Sequence, residues 1–422
     1  MPERLIRAYA LVKKACCLAN AELGHLPQDV AAALAAACDD IAAGRQAEAF
    51  PLDALQGGAG TSTNMNLNEV LANLALDRLG RPRGAWQVVH PLDHVNLNQS
   101  TNDTYPTALK VAAILALRDA SAAFQALQGA LQRREKAFAA IAAIGRTEGM
   151  PAVPMTLGQM FGAWAEAAAR DRWRTFKCEE RLRVVNLGGT AVGNGLAAPR
   201  YYIFLAIEKL RQVTGLGLSR AENLPGDTAN ADAFVEVSGI LSAAAVNLVK
   251  IGRDLRLLHM FGELRLPAVQ AGSSIMPVKV NPVIVESVIQ AGLRVQAEHG
   301  VVATCASQAT LQICEFLPLL GQALLGSIDL AAAAGRQLAG HVDGVVADTD
   351  TCHRNLAASP GIVTAFVPLI GYDAATALVQ RGTAAGVTDW RAFLERELGA
   401  EKVAAVLRPE ALLALGYRNK TF

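Results

Sequence analysis

The sequence predicts an all-α protein built around long helices, and three observations carry that expectation. Alanine and the aliphatics dominate: 52% of the 422 residues are hydrophobic but only 5% aromatic, and 18% are charged, against about 25% in an average domain. Proline removes a helix hydrogen bond and clashes with the preceding turn, and five stretches lack it: 107–150, 155–198, 226–266, 283–317 and 319–359. Even two-thirds helical occupancy of such stretches makes rods of roughly 35–45 Å at 1.5 Å per residue, longer than the usual globular helix. Finally, Phe234, Val237, Leu241, Ala244, Leu248, Ile251, Leu255 and Leu258 are spaced 3-4-3-4-3-4-3. That is an unbroken heptad seam, and a helix carrying one packs at a shallow angle against its neighbours.

Taken in order, residues 1 to about 60 read as short helices broken near Gly24 and Pro27, then a turn at Gly57-Gly58-Ala59-Gly60. Asn102-Asp103 and Pro106 supply a cap and first-turn signal for the first long helix. Ala243 and Ala245 flank the heptad seam, so that helix should meet apolar surface on more than one side, inside a bundle or at a subunit interface. Beyond about 351 the segments shorten, with Pro360-Gly361, Gly371, Gly382 and Gly386 as breakers and a helix over 389–398. At about 150 residues per domain the length suggests roughly three. The expected regions are 1–101, an N-terminal helical domain; 102–350, a central long-helix bundle; and 351–422, a small C-terminal helical domain.

Composition excludes several classes of function. With 39 basic and 38 acidic residues there is no general surface for nucleic acid or anionic membrane, so a charged ligand must be met locally. No basic and apolar secretory signal opens the chain, and no twenty-residue uncharged apolar run follows. The seven cysteines fall into no C-x-x-C or Cys/His ligand spacing and suit a reduced, cytoplasmic compartment as buried thiols. His90 and His94 are four apart, but Pro91 argues against a helical metal pair. Gly188–Gly195 has no G-K-S/T after it, which argues against nucleotide binding. No metal or organic cofactor is expected.

Small polar residues gather in four places: 61–66 after the glycine turn, 98–103 before the first long helix, 145–148 at what the proline spacing makes the end of that helix, and 272–282 between the third and fourth helices. Ser, Thr, Asn and Asp are ordinary caps. Four such clusters at helix ends, with a lysine among them, can instead form a pocket that holds a small carboxylate.

At these residues the chain resembles the aspartase/fumarase superfamily, nearly end to end. Residues 272–281 match the signature G-S-S-x-M-P-x-K-x-N, and Gln56–Val70, Q-G-G-A-G-T-S-T-N-M-N-x-N-E-V, look more like aspartate ammonia-lyases than fumarases. His90-Pro91 through Asp103 and Gly189–Gly193 also match. The resemblance implies a three-domain all-α subunit, a homotetramer whose central bundles share a core of twenty helices, and active sites each built from three subunits. It implies anti elimination through an aci-carboxylate (enediolate) to fumarate, with no cofactor. Ser273 is then the general base as an oxyanion. Thr61, Ser100, Thr101 and Ser274 meet one carboxylate of a small dicarboxylate, Thr147, Lys279 and Asn281 clamp the other, and Asn102 meets the leaving group.

The departures matter as much. Glu148 stands where relatives carry histidine or glutamine, followed by Gly149-Met150-Pro151 in place of Leu-Gln-Asp. A carboxylate there suits a substrate ammonium and offers a neutral hydroxyl little, which favours C–N over C–O cleavage, unless Glu148 only caps a helix or points away. Residues 259–264 shorten the segment that carries S-G-P-R in relatives, Val278 replaces a small loop residue, and the chain begins later than typical aspartases. The rival readings are a fumarate hydratase and a catalytically silent tetrameric scaffold.

Overall fold

The computed structural model describes residues 1–276 and 278–416; Pro277 of the signature run and residues 417–422 lie outside the described residues. Helices α1 (Glu3–Glu22), α2 (Gln28–Ala42) and α3 (Thr61–Arg78) precede the first long helix, α4 (Thr101–Ala137). A hairpin of β1 (Ala142–Thr147) and β2 (Met150–Thr156) leads into α5 (Leu157–Lys177), α6 (Arg200–Thr214), α7 (Asp232–Met260), α8 (Val283–Ser307) and α9 (Leu317–Val342). Shorter helices follow, among them α10 (Thr349–Ala357), α11 (Tyr372–Ala384), α12 (Trp390–Leu398) and α13 (Ala400–Leu407). The protein is all-α, and the long helices, of 37, 21, 29, 25 and 26 residues, or roughly 30–55 Å, lie mostly in the proline-free stretches, though α4 takes in Pro106 and α9 Pro318 near their starts.

The heptad seam of α7 is real: all eight of its residues are buried. By length and composition α7 and α9 would also suit a membrane, a test that the core helix of a soluble protein passes equally.

The chain divides into two compact units. The first comprises Met1–Ala122, Asp171–Val246 and Ala291–Ala333; the second comprises Ala123–Arg170, Asn247–Gln290 and the chain from Ala334 onward.

In the first unit α1 packs on α2 and α6, and α2 on α3. Gly321 of α9 faces Leu109 of α4, where an added Cβ would lie 3.2 Å from a leucine methyl. The start of α4 differs from the sequence expectation, because the helix begins at Thr101 and takes Pro106 inside it. Pro106 has no N–H for the carbonyl of Asn102, four residues back. Asn186 replaces that donor: its Nδ2 donates to the Asn102 carbonyl at 3.0 Å and to Thr228 Oγ1 at 2.9 Å.

In the second unit Ala142, Ile144, Ile362, Phe366, Trp390 and Leu394 belong to one apolar core. The Gly145-Arg146-Thr147-Glu148 cluster is not a helix end, as expected, but the end of β1 and its turn. Helix α4 stops at Ala137, and Thr147 pairs with Met150 across a two-residue connection in which Glu148 has φ 53° and Gly149 φ 79°. Two positive φ values make the tight reversal whose twist matches antiparallel strands. Proline spacing marks where a helix cannot run, not where it must, and burial of Ala142 and Ile144 in the core favours the strand. Pro151 and Pro154 are tolerated because β2 is the edge of a two-stranded sheet.

One ion pair anchors this hairpin beside its turn, where Arg146 lies opposite Pro151. Arg146 donates from Nη1 to Glu263 Oε2 at 2.9 Å and from Nη2 to Glu263 Oε1 at 2.6 Å, and its guanidinium lies 4.2 Å from the centre of the Phe261 ring. The Glu263 side chain is fully buried and also accepts from Asn355 Nδ2 at 2.9 Å. Replacing Glu263 with alanine strands the arginine charge, and removing one partner of a buried pair costs about 3–5 kcal/mol. Urea denaturation should show a clearly lowered midpoint for Glu263→Ala and a smaller loss for Glu263→Gln; an unchanged midpoint for Glu263→Ala would show that the pair does not hold the hairpin.

Candidate active site

In the first unit, the predicted residues at the start of α4 belong to a hydrogen-bonded group that Asn64 joins to α3, while Thr61 on α3 stands apart from it. Ser100 is the N-cap of α4: its Oγ accepts from Asn102 N at 3.2 Å, while Asp103 Oδ1 accepts from Ser100 N at 3.0 Å. This reciprocal pair is a capping box, and it points the positive end of the helix and its free N–H groups at whatever binds there. Because the Ser100 hydroxyl oxygen is used as an acceptor, its proton is left to donate. The same holds for Thr101, whose Oγ1 accepts from Asn64 Nδ2 at 3.0 Å.

Asn102 donates from Nδ2 to the Ala191 carbonyl at 2.7 Å, which leaves its carbonyl oxygen free as an acceptor. A substrate ammonium is the kind of donor it can take. Thr61 starts α3 behind Gly60, whose φ of 91° leaves no room for a side chain: a Cβ there would sit 2.4 Å from the Tyr105 ring. Thr61 is exposed, but its hydroxyl donates to the Gly58 carbonyl at 2.8 Å. It must rotate before it can donate to a ligand.

Asp103, fully buried, ties this group to the glycine-rich turn. Besides Ser100 N its carboxylate accepts from Gly188 N at 3.1 Å and Thr190 N at 3.0 Å. Burial pushes its pKa up to about 6, against the pull of these three donors. Sequence reasoning included Asn64 and Asp103 in the polar clusters, Asp103 also as a cap signal, but gave neither a role in the site, and it passed over Asn186. The Ser100-x-x-Asp103 spacing is itself the signature of a capping box; no comparable signal marks the two asparagines.

In the second unit, the signature loop closes on itself. Ser273 Oγ accepts from Met276 N at 3.0 Å and Ile275 N at 3.3 Å, two donors that favour an alkoxide over an alcohol. Asn281 Nδ2 donates to the Gly272 carbonyl at 2.9 Å. Gly272 is indispensable, because a Cβ would fall 1.5 Å from the Lys279 carbonyl oxygen. Ser274, Lys279 and Val278 are exposed, Val278 almost completely at 94%. Thr147 and Glu148 are exposed at the hairpin tip, and among the described residues no hydrogen bond or ion pair joins them to the loop.

The histidine pair is engaged locally: His90 Nδ1 accepts from Leu92 N and Asp93 N, and His94 Nδ1 accepts from His90 N. Among the described residues no group of three or more potential metal ligands occurs. All seven cysteines are free and buried.

The first unit thus offers hydroxyl and helix-terminus donors suited to a carboxylate and an amide acceptor suited to an amine, and the second, taken by itself, a serine whose oxygen is held by backbone N–H groups. A protein-family model described as Lyase matches residues 1–297. The aspartate ammonia-lyase of Helicobacter pylori is 40% identical over 416 residues, 97% of this chain and 89% of that protein. Among solved structures, the cobalt-bound fumarate lyase (delta crystallin) of Brucella melitensis superposes with a TM-score of 0.92 at 43% identity, covering 97% of this chain and 91% of that one. The class II fumarase of Schistosoma mansoni gives a TM-score of 0.89 at 29% identity, covering 97% and 90%. Matches of this extent, falling on a chain that holds its signature serine between two backbone donors, show that the protein belongs to the lyase family of the aspartases and fumarases.

Proposed function

We propose that this protein, a carbon–nitrogen lyase, eliminates ammonia or a small amine from L-aspartate, or from a close N-substituted aspartate, to give fumarate. The observation that carries the reading is Ser273 Oγ accepting two backbone N–H bonds in the signature loop. A proton next to a carboxylate is very weakly acidic, so the base must be strong and the resulting enediolate must be met by preorganised donors. In this reading Ser273, as the alkoxide, takes the proton from C3. The electron pair moves into the adjacent carboxylate, then returns to form the C2–C3 double bond as the amine leaves from the opposite face. Ser100, Thr101, Thr61 and Ser274 donate to the carboxylate that gains charge. Lys279, Asn281 and Thr147 hold the other, and the Asn102 oxygen receives the ammonium.

Glu148 belongs to the same proposal as the carboxylate nearest the departing amine. Its support is the hairpin turn, which leaves it exposed. Assembly as a homotetramer with composite sites is supported by apolar residues left exposed on the long helices, such as Val246 at 51%, Leu257 at 45% and Leu293 at 54%. The division at 101/102 and 350/351 and a reduced, cytoplasmic setting complete the proposal, the latter supported by the free thiols.

Two tests follow from these roles. Ser273→Ala should lower kcat for L-aspartate by roughly 100- to 10,000-fold, the range for loss of a positioned base; a variant with nearly unchanged kcat removes Ser273 as the base. Wild-type protein active on L-malate but not L-aspartate would overturn C–N specificity. Glu148→Gln should retain aspartate turnover yet change which amines (ammonia, hydroxylamine, hydrazine) add to fumarate, together with the pH profile. If rate, amine range and pH profile all stay the same, Glu148 has no role at the amine.

A further inference from the structure

Lys13 is a buried cation with no carboxylate at ion-pair distance among the described residues. Its side chain on α1 is 1% exposed, and the nearest acidic influence on it is that of Asp103. Its Nζ donates instead to two neutral side-chain oxygens, Asn96 Oδ1 at 3.0 Å and Gln99 Oε1 at 2.8 Å. Burying an unpaired ammonium is costly, so the fold accepts a penalty at this one position. Asn96 Oδ1 also accepts from Asn64 Nδ2 at 3.1 Å and Asn68 Nδ2 at 3.2 Å, and the same Asn64 amide reaches Thr101 Oγ1. Gln99, the other partner, immediately precedes Ser100.

We infer that Lys13 is a positioning residue of the dicarboxylate site: through Asn96 and Gln99 it sets the segment that carries Ser100 and Thr101, and its charge makes that segment attractive to an anion. The inference rests on the reading of Ser100 and Thr101 as carboxylate donors. A neutral side chain in the same place could fill the space and even keep some hydrogen bonds, but it could not supply the charge.

The surroundings make this charge testable by pH. Facing Lys13 are Tyr9 on its own helix, with the ammonium 5.6 Å from the ring centre, Cys16 on the same helix, Cys38 on α2 and Asp103 on α4. Burial raises Cys16 to about 12 and lifts Cys38 and Tyr9 well above their ordinary values, so all three stay neutral. Asp103 titrates at about 6 and is an anion above it. Burial lowers Lys13 to about 8. Its charge is therefore present below pH 8 and lost above it, and between pH 7 and 9.5 Lys13 alone among these groups changes state.

The test is calorimetric titration of the full-length protein with succinate, a dicarboxylate that cannot react, from pH 7 to 9.5. Wild type should lose about tenfold in affinity with a midpoint near pH 8. Lys13→Met, checked for folding by circular dichroism, should bind about tenfold more weakly at pH 7 with no pH dependence. Lys13→Arg, which keeps its charge throughout, should lose the step at pH 8. A folded Lys13→Met with wild-type affinity and pH profile overturns the inference, as does a Lys13→Arg variant that keeps the step. Should Lys13→Met fail to fold, a flat wild-type profile or a step retained in Lys13→Arg still overturns it. Wild type that binds no succinate at any pH sinks the carboxylate reading itself, a result distinct from the others.

Discussion

The Asp103 carboxylate is the interaction on which the polar group of the first unit depends. One buried side chain accepts from Ser100, Gly188 and Thr190, and so joins the cap of a long helix to a turn 85 residues further along the chain. Without it three backbone N–H groups lose their acceptor, a loss that protein interiors rarely tolerate. The consequences spread outward. The cap holds the Ser100 hydroxyl oxygen, and the turn brings the Ala191 carbonyl to the Asn102 amide, which leaves the Asn102 oxygen for the amine in the proposed mechanism. Asn186 supports the same place from the backbone side, replacing the donor that Pro106 removes.

The second unit solves a different problem. A serine hydroxyl is too weak an acid to serve as a base unless its anion is stabilised, and for the role proposed for Ser273 the two backbone N–H groups that its oxygen accepts are the groups that would do so. The loop can fold that tightly because position 272 has no side chain and Asn281 bonds its carbonyl. The hairpin of the same unit is held beside its turn by a buried arginine–glutamate pair, while Glu148 at the turn itself is exposed. An anchored turn suits the role proposed for Glu148, whose partner would arrive with the substrate.

Much of this was legible in the sequence, and what was not has physical reasons. The heptad seam of α7 marked eight buried residues correctly because a long apolar period leaves a helix few other ways to pack. The 272–282 run and the 98–103 segment stood out as gathered small polar residues, the former named as a signature only by its resemblance to a known family, and both fold with local hydrogen bonds. The 145–148 segment was misread as a helix end. Its structure depends on burial of Ala142 and Ile144 against residues more than 200 positions away, such as Phe366, and no local pattern reports such a contact. Thr61 sits where expected, but the direction of its hydroxyl is set by Gly58 and does not follow from residue type. Lys13 was invisible, since a lysine on a mixed helix looks like surface until its neighbours Asn96 and Gln99 are seen to surround it.

The claim at the centre of this account is stereospecific elimination across the C2–C3 bond of aspartate with a base and a leaving group on opposite faces. It is tested most directly in reverse, by incubating the protein with fumarate and ammonium in deuterium oxide and reading the product by proton NMR. The account predicts L-aspartate carrying one deuterium at C3, as the single diastereomer of anti addition. Malate as the product, a mixture of C3 diastereomers, or no product at all would contradict it.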